Sequence, residues 1–400
     1  MDKQRLWIIS ELFPPDETST AFILGEIANV MTQKYEVKVI CGPEIYDKRK
    51  KIDADHLFKV CDSIEAFRAP GIETDKNTFV GKASRFVVIS RQLYKLAKRN
   101  IKKEDKVLLV TNPAPVVVMI SRLKRKIGFE LNILVHDVFP ENTIPAGLKL
   151  PKCIYMMTKK LFDTAYGRAD QLIAIGRDMK RTLKEKTKKA EKKPRVTIIE
   201  NWADVDMVLP QKHNMSTEEE RTIDIGYAGN IGRVQGLQEF LELLKTTENK
   251  RLNFHLWGTG AEEGNLKGYV KEHNMANVTF HGAYFRFQQQ EVINSCDIAL
   301  VTLTKGMFGL GVPSKTYNIM AAGKPILYIG DSQSEIGLLV KEKSIGYVYA
   351  PEDKLGILAF LDNLTQERLF ELREMGMRAR NVAEKEYAKE FIMEKFVNAI

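Results

Sequence analysis

The sequence predicts an α/β chain of two doubly wound units, each a parallel sheet with helices on both faces. Three observations carry that reading. At 400 residues the chain exceeds what one hydrophobic core usually supports, so two domains of about 200 residues are the default. Short, almost wholly apolar runs alternate with helical stretches, which is how strands buried on both faces of a parallel sheet read. The alternation breaks at residues 201–221, where Pro210 and the acidic run at 218–220 mark a polar linker.

Taken in order, the first half offers strands at residues 6–9, 37–40, 66–69, 107–110, 131–135, 172–175 and 195–199, with helices at 20–33 and 79–98. The lysine-dense stretch 184–193 reads as a helix tail and loop before the last of these strands. The second half starts afresh, with strands at 223–227, 253–256, 278–281, 298–303 and Ile326–Ile329 and helices at 235–245 and 288–295. Residues 366–400 read as one amphipathic helix. Domains at 1–205 and 206–375 and a final helix at 376–400 follow, the two Rossmann-like sheets being expected to face each other across a cleft.

Charge is unevenly shared. Residues 1–200 hold 39 Lys and Arg against 25 Asp and Glu, while residues 201–400 hold 22 against 27. A basic half predicts an anionic partner, either a membrane surface or a pyrophosphate-linked acceptor. Nucleic acid is not expected, because the basic runs at 48–51, 124–126 and 184–193 lack the interleaved aromatics of a single-strand binder. Cys41, Cys61, Cys153 and Cys296 are scattered without metal-ligand spacing, so reduced thiols and no zinc site are expected. The chain opens without an apolar leader and has no run long enough to span a bilayer, which predicts a cytoplasmic protein.

Candidate chemistry gathers at strand ends. After the strand at 298–303 comes a glycine-bearing loop and then Pro313-Ser314-Lys315, which reads as a helix start beside a cation, with Gly323 and Pro325 as the stop. A helix start of this kind, with Lys315, is an anion site. The turn after the strand at 223–227 carries Gly229, Asn230 and Arg233, and the next loop carries Gly258 and Gly260, where main chain can approach a ligand closely. Gly282 and Tyr284 follow a third strand, where a nucleobase could rest. In the first half, His136, Asp137 and Glu141 at the end of the strand at 131–135 are candidates to bind hydroxyls or move a proton. Thr18, Ser19 and Thr20 would cap the first helix, whose free N–H groups could meet donor or acceptor.

The segments 136–141, 199–204, 227–237 and 312–325, in that order, make the chain resemble a retaining glycosyltransferase of family 4 with the GT-B fold, of the kind that builds bacterial surface polysaccharides such as capsule or O-antigen. The resemblance implies a nucleoside diphosphate sugar, UDP-linked, on the second half and a lipid-pyrophosphate-linked saccharide acceptor on the first. It implies a last helix that crosses back to the first domain, no metal, and no cofactor besides the sugar nucleotide. It implies catalytic roles for His136, Asp137 and Glu141, and donor contacts from Gly229, Asn230, Arg233, Gly258, Gly260, Tyr284, Ser314, Lys315 and Asn318. Thr18, Ser19 and Thr20 fall on the acceptor side. A cytoplasmic enzyme held at the inner face of the plasma membrane is the corresponding expectation. The chain departs from the family where two glutamates are usual, having Leu310 and Asn318, and where an Arg and a Lys are usual, having Asn230 and Gln235. A sugar-nucleotide 2-epimerase and a non-catalytic glycosyltransferase-like subunit at the membrane are the alternatives.

Overall fold

A computed structural model describes residues 3–44, 58–70, 79–148, 150–211 and 222–400. The basic run at 48–51, the acidic run at 218–220 and Lys149 lie outside the described residues. The chain divides into two compact units, one of Met1–Glu141, Leu150–Ile199 and Met393–Ile400, the other of Asn142–Lys149 and Glu200–Ile392.

The first unit is a seven-stranded sheet of β1 (Arg5–Ser10), β2 (Glu36–Cys41), β3 (Glu65–Arg68), β4 (Lys106–Val110), β5 (Glu130–Val135), β6 (Gln171–Ala174) and β7 (Arg195–Ile198), in the order β3-β2-β1-β4-β5-β6-β7. All of its paired strands run parallel. The central strands are the apolar runs of the sequence, and Leu6, Ile8, Leu108 and Ile133 lose all contact with solvent. Each such side chain contributes about 1.5–3 kcal/mol of burial. Thr18 caps the helix Ser19–Met31, its hydroxyl accepting from the Ala21 N–H at 3.2 Å, and Leu24, Ile27, Ala28 and Met31 turn that helix onto the sheet.

The second unit is a six-stranded sheet of β8 (Ile223–Ala228), β9 (Leu252–Trp257), β10 (Val278–Gly282), β11 (Ile298–Thr302), β12 (Ile326–Ile329) and β13 (Gly346–Tyr349), in the order β10-β9-β8-β11-β12-β13. Ile225, Phe240, Phe254 and Leu361 fill one core layer. Val301, Tyr317, Met320 and Tyr328 fill another. The sequence pattern missed β13, whose Gly-Tyr-Val-Tyr run is only half-buried. Two helices beside it were also missed, Glu335–Lys343 and Lys354–Asp362, started by Ser334 and Asp353 as side-chain caps.

The chain divides at 199/200 instead of 205/206, and residues 376–392 stay with the second unit. One backbone contact explains both. Ala203 pairs with Ala388 in a parallel bridge, its N–H donating to the Tyr387 carbonyl at 2.7 Å, so the stretch after Ile199 is stitched to the C-terminal region. The same bridge interrupts the single helix expected over 366–400, leaving Gln366–Glu386 and Lys389–Ala399.

The helix Gln366–Glu386 packs through Gly376, where an added Cβ would stand 2.1 Å from the Gly323 carbonyl oxygen. Gly376→Ala should therefore lower stability by about 1–3 kcal/mol through a backbone collision. Gly268→Ala, on a helix with nothing within 4 Å of the new methyl, should raise it by about 0.5–1 kcal/mol. Urea unfolding of both variants checks this, and equal effects would refute the packing.

Candidate active site

Strands β8, β9 and β10 end side by side, and the loops that follow them meet main chain to main chain. The Gly229 N–H donates to the Trp257 carbonyl and the Ile231 N–H to the Thr259 carbonyl, both at 2.9 Å, while the Gly258 N–H donates to the Gly282 carbonyl at 2.6 Å. A Cβ on Gly258 would lie 1.9 Å from the Gly229 carbonyl oxygen, and one on Gly260 would lie 2.2 Å from that of Ile231. Neither position tolerates a side chain without moving the loops. Gly258 also holds φ at +125°, a conformation that other residues rarely adopt.

Lys315 opens the helix Lys315–Ala321 after β11 and reaches beneath this turn. Its Nζ stands 3.3 Å from the centre of the Tyr227 ring and would be 3.6 Å from a Cβ on Gly229. That Nζ is buried, and among the described residues it has no hydrogen-bond partner. Burial holds its pKa well below the usual lysine range. The Tyr227 hydroxyl donates to the Asn230 carbonyl at 2.6 Å. Burial and then the nearby Tyr284 push the Tyr227 phenol up. Gly229, Asn230, Gly258, Gly260, Tyr284 and Lys315, all named from sequence, thus gather in one patch.

Three other expected donor residues behave differently. Ser314 sits at the helix boundary but makes no side-chain cap, because its backbone is already helical. The helix has only seven residues and sums few peptide dipoles, so what the patch offers an anion is chiefly the Lys315 amine. Arg233 points away and donates through Nε to Glu262 at 3.1 Å, with its side chain 64% exposed. It lines a separate cavity of about 470 Å³, together with Glu239, Phe240, Thr302, Lys305 and Glu352. Asn318 is committed on both sides: its carbonyl accepts from the Asp204 N–H at 2.9 Å, and its amide donates to Gln289 Oε1 at 3.0 Å.

Asp204 is the centre of a knot that the sequence reading did not single out. Its carboxylate accepts from Trp202 Nε1 at 2.9 Å and pairs with Arg286, joining the segment after Ile199 to the loop after β10 and to the helix of Asn318. Asp204 lay within a quoted motif, but nothing local in sequence pointed to Arg286.

In the first unit, the N–H groups of His136 and Asp137 both point at Thr111 Oγ1, at 3.1 and 3.3 Å, so Thr111 at the end of β4 fixes their turn. Desolvation by the surrounding protein pushes the His136 imidazole down to about 4, which leaves it uncharged at neutral pH. Asp137 is exposed. Glu141 is spoken for. It binds the buried Lys186 at 2.7 Å and Lys159 at 3.1 Å, and both lysines also bind Asp163 at 2.7 Å. That quartet ties up the carboxylate of Glu141, named above as a candidate acid or base, in ion pairs. Thr18 is spent as a cap, and Ser19 and Thr20 form the first turn of the helix beside it.

The family described as Glycosyl transferases group 1 matches residues 208–382. Over 408 aligned residues, covering 99% of this chain and 97% of the relative, the sequence is 30% identical to a Pseudomonas aeruginosa protein named Probable glycosyltransferase WbjE. Among solved structures, Anabaena HepE in complex with UDP superposes with a TM-score of 0.69 at 13% identity, covering 99% of each chain. WaaG, described as a glycosyltransferase involved in lipopolysaccharide biosynthesis, superposes with a TM-score of 0.67 at 15% identity, again over 99% of each chain. These likenesses agree with the paired doubly wound sheets in giving the GT-B fold.

Proposed function

The chain belongs to the group 1 glycosyl transferases, and on that premise we propose that it moves a sugar, with retention, from a UDP-linked donor to a lipid-pyrophosphate-linked saccharide used in surface polysaccharide synthesis. The observation that carries the donor half is the buried, unpartnered Lys315 amine beside the Gly229 turn. A diphosphate supplies the anion that this amine lacks, and charge-assisted bonds of that kind are the strong ones. HepE, a structural neighbour, holds UDP in its solved complex, which supports the choice of nucleotide.

In this reading the base lies against the loop of Gly282 and Tyr284, and the diphosphate lies on Lys315 beside the Gly229 turn. The acceptor hydroxyl attacks from the face the diphosphate leaves. The departing phosphate oxygen takes the hydroxyl proton as the new glycosidic bond forms, so stereochemistry is retained without a protein nucleophile. Developing charge on the leaving group is met by fixed donors. On the first unit, His136, uncharged, and Asp137 hydrogen-bond hydroxyls of the acceptor.

The acceptor half draws support from the surface of the first unit. The helix Lys152–Gly167 exposes Ile154, Met156, Met157 and Leu161, with Met157 70% exposed. Lys152 and Lys160 are exposed beside them, whereas Lys159 is taken by the Glu141 quartet. The neighbouring helix Ala114–Ile127 ends in exposed Arg122, Arg125 and Lys126. Apolar side chains among lysine and arginine suit an anionic bilayer. Among the described residues no helix is long and apolar enough to cross a membrane.

Calorimetry with UDP tests the donor site. Lys315→Met should weaken binding by about 1.5–3 kcal/mol, roughly ten- to hundredfold. Arg233→Ala should cost much less, its guanidinium being turned to Glu262. Unchanged affinity in Lys315→Met would remove the diphosphate from this patch. Turnover should persist in excess EDTA, since the charge on the leaving group is assigned to protein donors; a loss restored by magnesium or manganese would refute that assignment. Sedimentation with anionic liposomes tests the membrane face. Changing Lys152, Met157 and Lys160 together to glutamate should release the protein, each lysine being worth about 1 kcal/mol near such a surface. Equal sedimentation of wild type and variant would assign the basic half to another partner.

A further inference from the structure

We infer that the buried Lys315 amine is held uncharged against the Tyr227 ring and takes up a proton as the diphosphate binds. The inference rests on the donor site proposed above and adds a linkage that an ordinary lysine contact would not have.

The geometry sets two effects against each other. An aromatic face 3.3 Å away favours an ammonium. Burial without a hydrogen-bond acceptor among the described residues works the other way, because it disfavours the charged form. Burial wins, and the pKa of Lys315 is held well below its usual value. The groups that face it are few. Tyr227 presents its ring from β8, the Gly229 main chain lies alongside, and Tyr284 from the loop after β10 acts on Tyr227. Both phenols are themselves pushed up by burial and carry no charge at neutral pH. Among the described residues no carboxylate bonds the amine.

A diphosphate changes the balance. It places negative charge next to the amine, favours the ammonium, and lets the flexible four-carbon stem turn the charged group off the ring onto phosphate oxygens. The site therefore binds its anion as a neutral pocket plus a proton. The sign follows from the direction of the shift: the amine pKa is low before the diphosphate binds and high in the complex. Proton uptake is confined to the pH window between those values, and across that window affinity falls as pH rises.

Isothermal titration calorimetry of UDP and of inorganic pyrophosphate at about pH 8, where free UDP is fully ionised, reads the uptake directly. Repeating the titration in buffers of different ionisation enthalpy should give about one proton absorbed per complex for the wild-type protein, and affinity should fall by up to about tenfold per pH unit above that. Lys315→Arg, which keeps a permanent charge, should still bind both probes and absorb none. Binding of UDP or pyrophosphate by the wild type without proton uptake, or equal uptake by wild type and Lys315→Arg, would overturn this inference and leave the donor site standing. Failure of both probes to bind would overturn the donor site and this inference with it.

Discussion

The second unit is organised by the approach of main chain to main chain at the ends of β8, β9 and β10. The loop of Gly258 and Gly260 lies so near the Gly229–Ile231 turn that a methyl group would collide with a carbonyl oxygen at either glycine. Parallel pairing brings Ala228 opposite Trp257 and Trp257 opposite Gly282, so the three loops leave the sheet together. Lys315 extends under the outcome, held between the Gly229 turn and the Tyr227 ring. Its amine is buried and has no hydrogen-bond partner among the described residues, a costly state in a stable fold. That cost is best understood as one offset by a ligand.

Much of this was legible in the sequence, because the relevant physics is local. Apolar runs of four to six residues report strands buried on both faces, and all but β13 were found that way. β13 escaped because its tyrosines are half-buried and its first residue is a glycine, a pattern closer to a loop. Glycines after successive strands, followed by Pro313, Ser314 and Lys315, marked the segments that meet in this patch. They did so because a close main-chain approach needs glycine and an anion needs a cation. The bridge from Ala203 to Ala388 was invisible, since it joins two alanines far apart in the chain and is made by backbone alone.

The residues misjudged from sequence share one feature: their partners are distant. Arg233 was a natural choice for phosphate until Glu262, on the following loop, claimed it. Glu141 belongs to a partly exposed ion quartet with Lys159, Asp163 and the buried Lys186. Asn318 stands where a glutamate is usual in the family that the chain resembles, and Asp204 meets it across the fold, N–H to side-chain carbonyl. A carboxylate is therefore present near Asn318 after all, supplied from another segment and locked by Trp202 and Arg286. Types and spacings announce a chemistry; which side chain carries it depends on contacts that no spacing encodes.

The most direct test is a crystal structure of the protein with UDP bound. The account predicts diphosphate oxygens within hydrogen-bond distance of Lys315 Nζ, beside the Gly229 turn, with Arg233 still on Glu262. Diphosphate found instead in the cavity of about 470 Å³, held by Arg233 and Lys305, would contradict it.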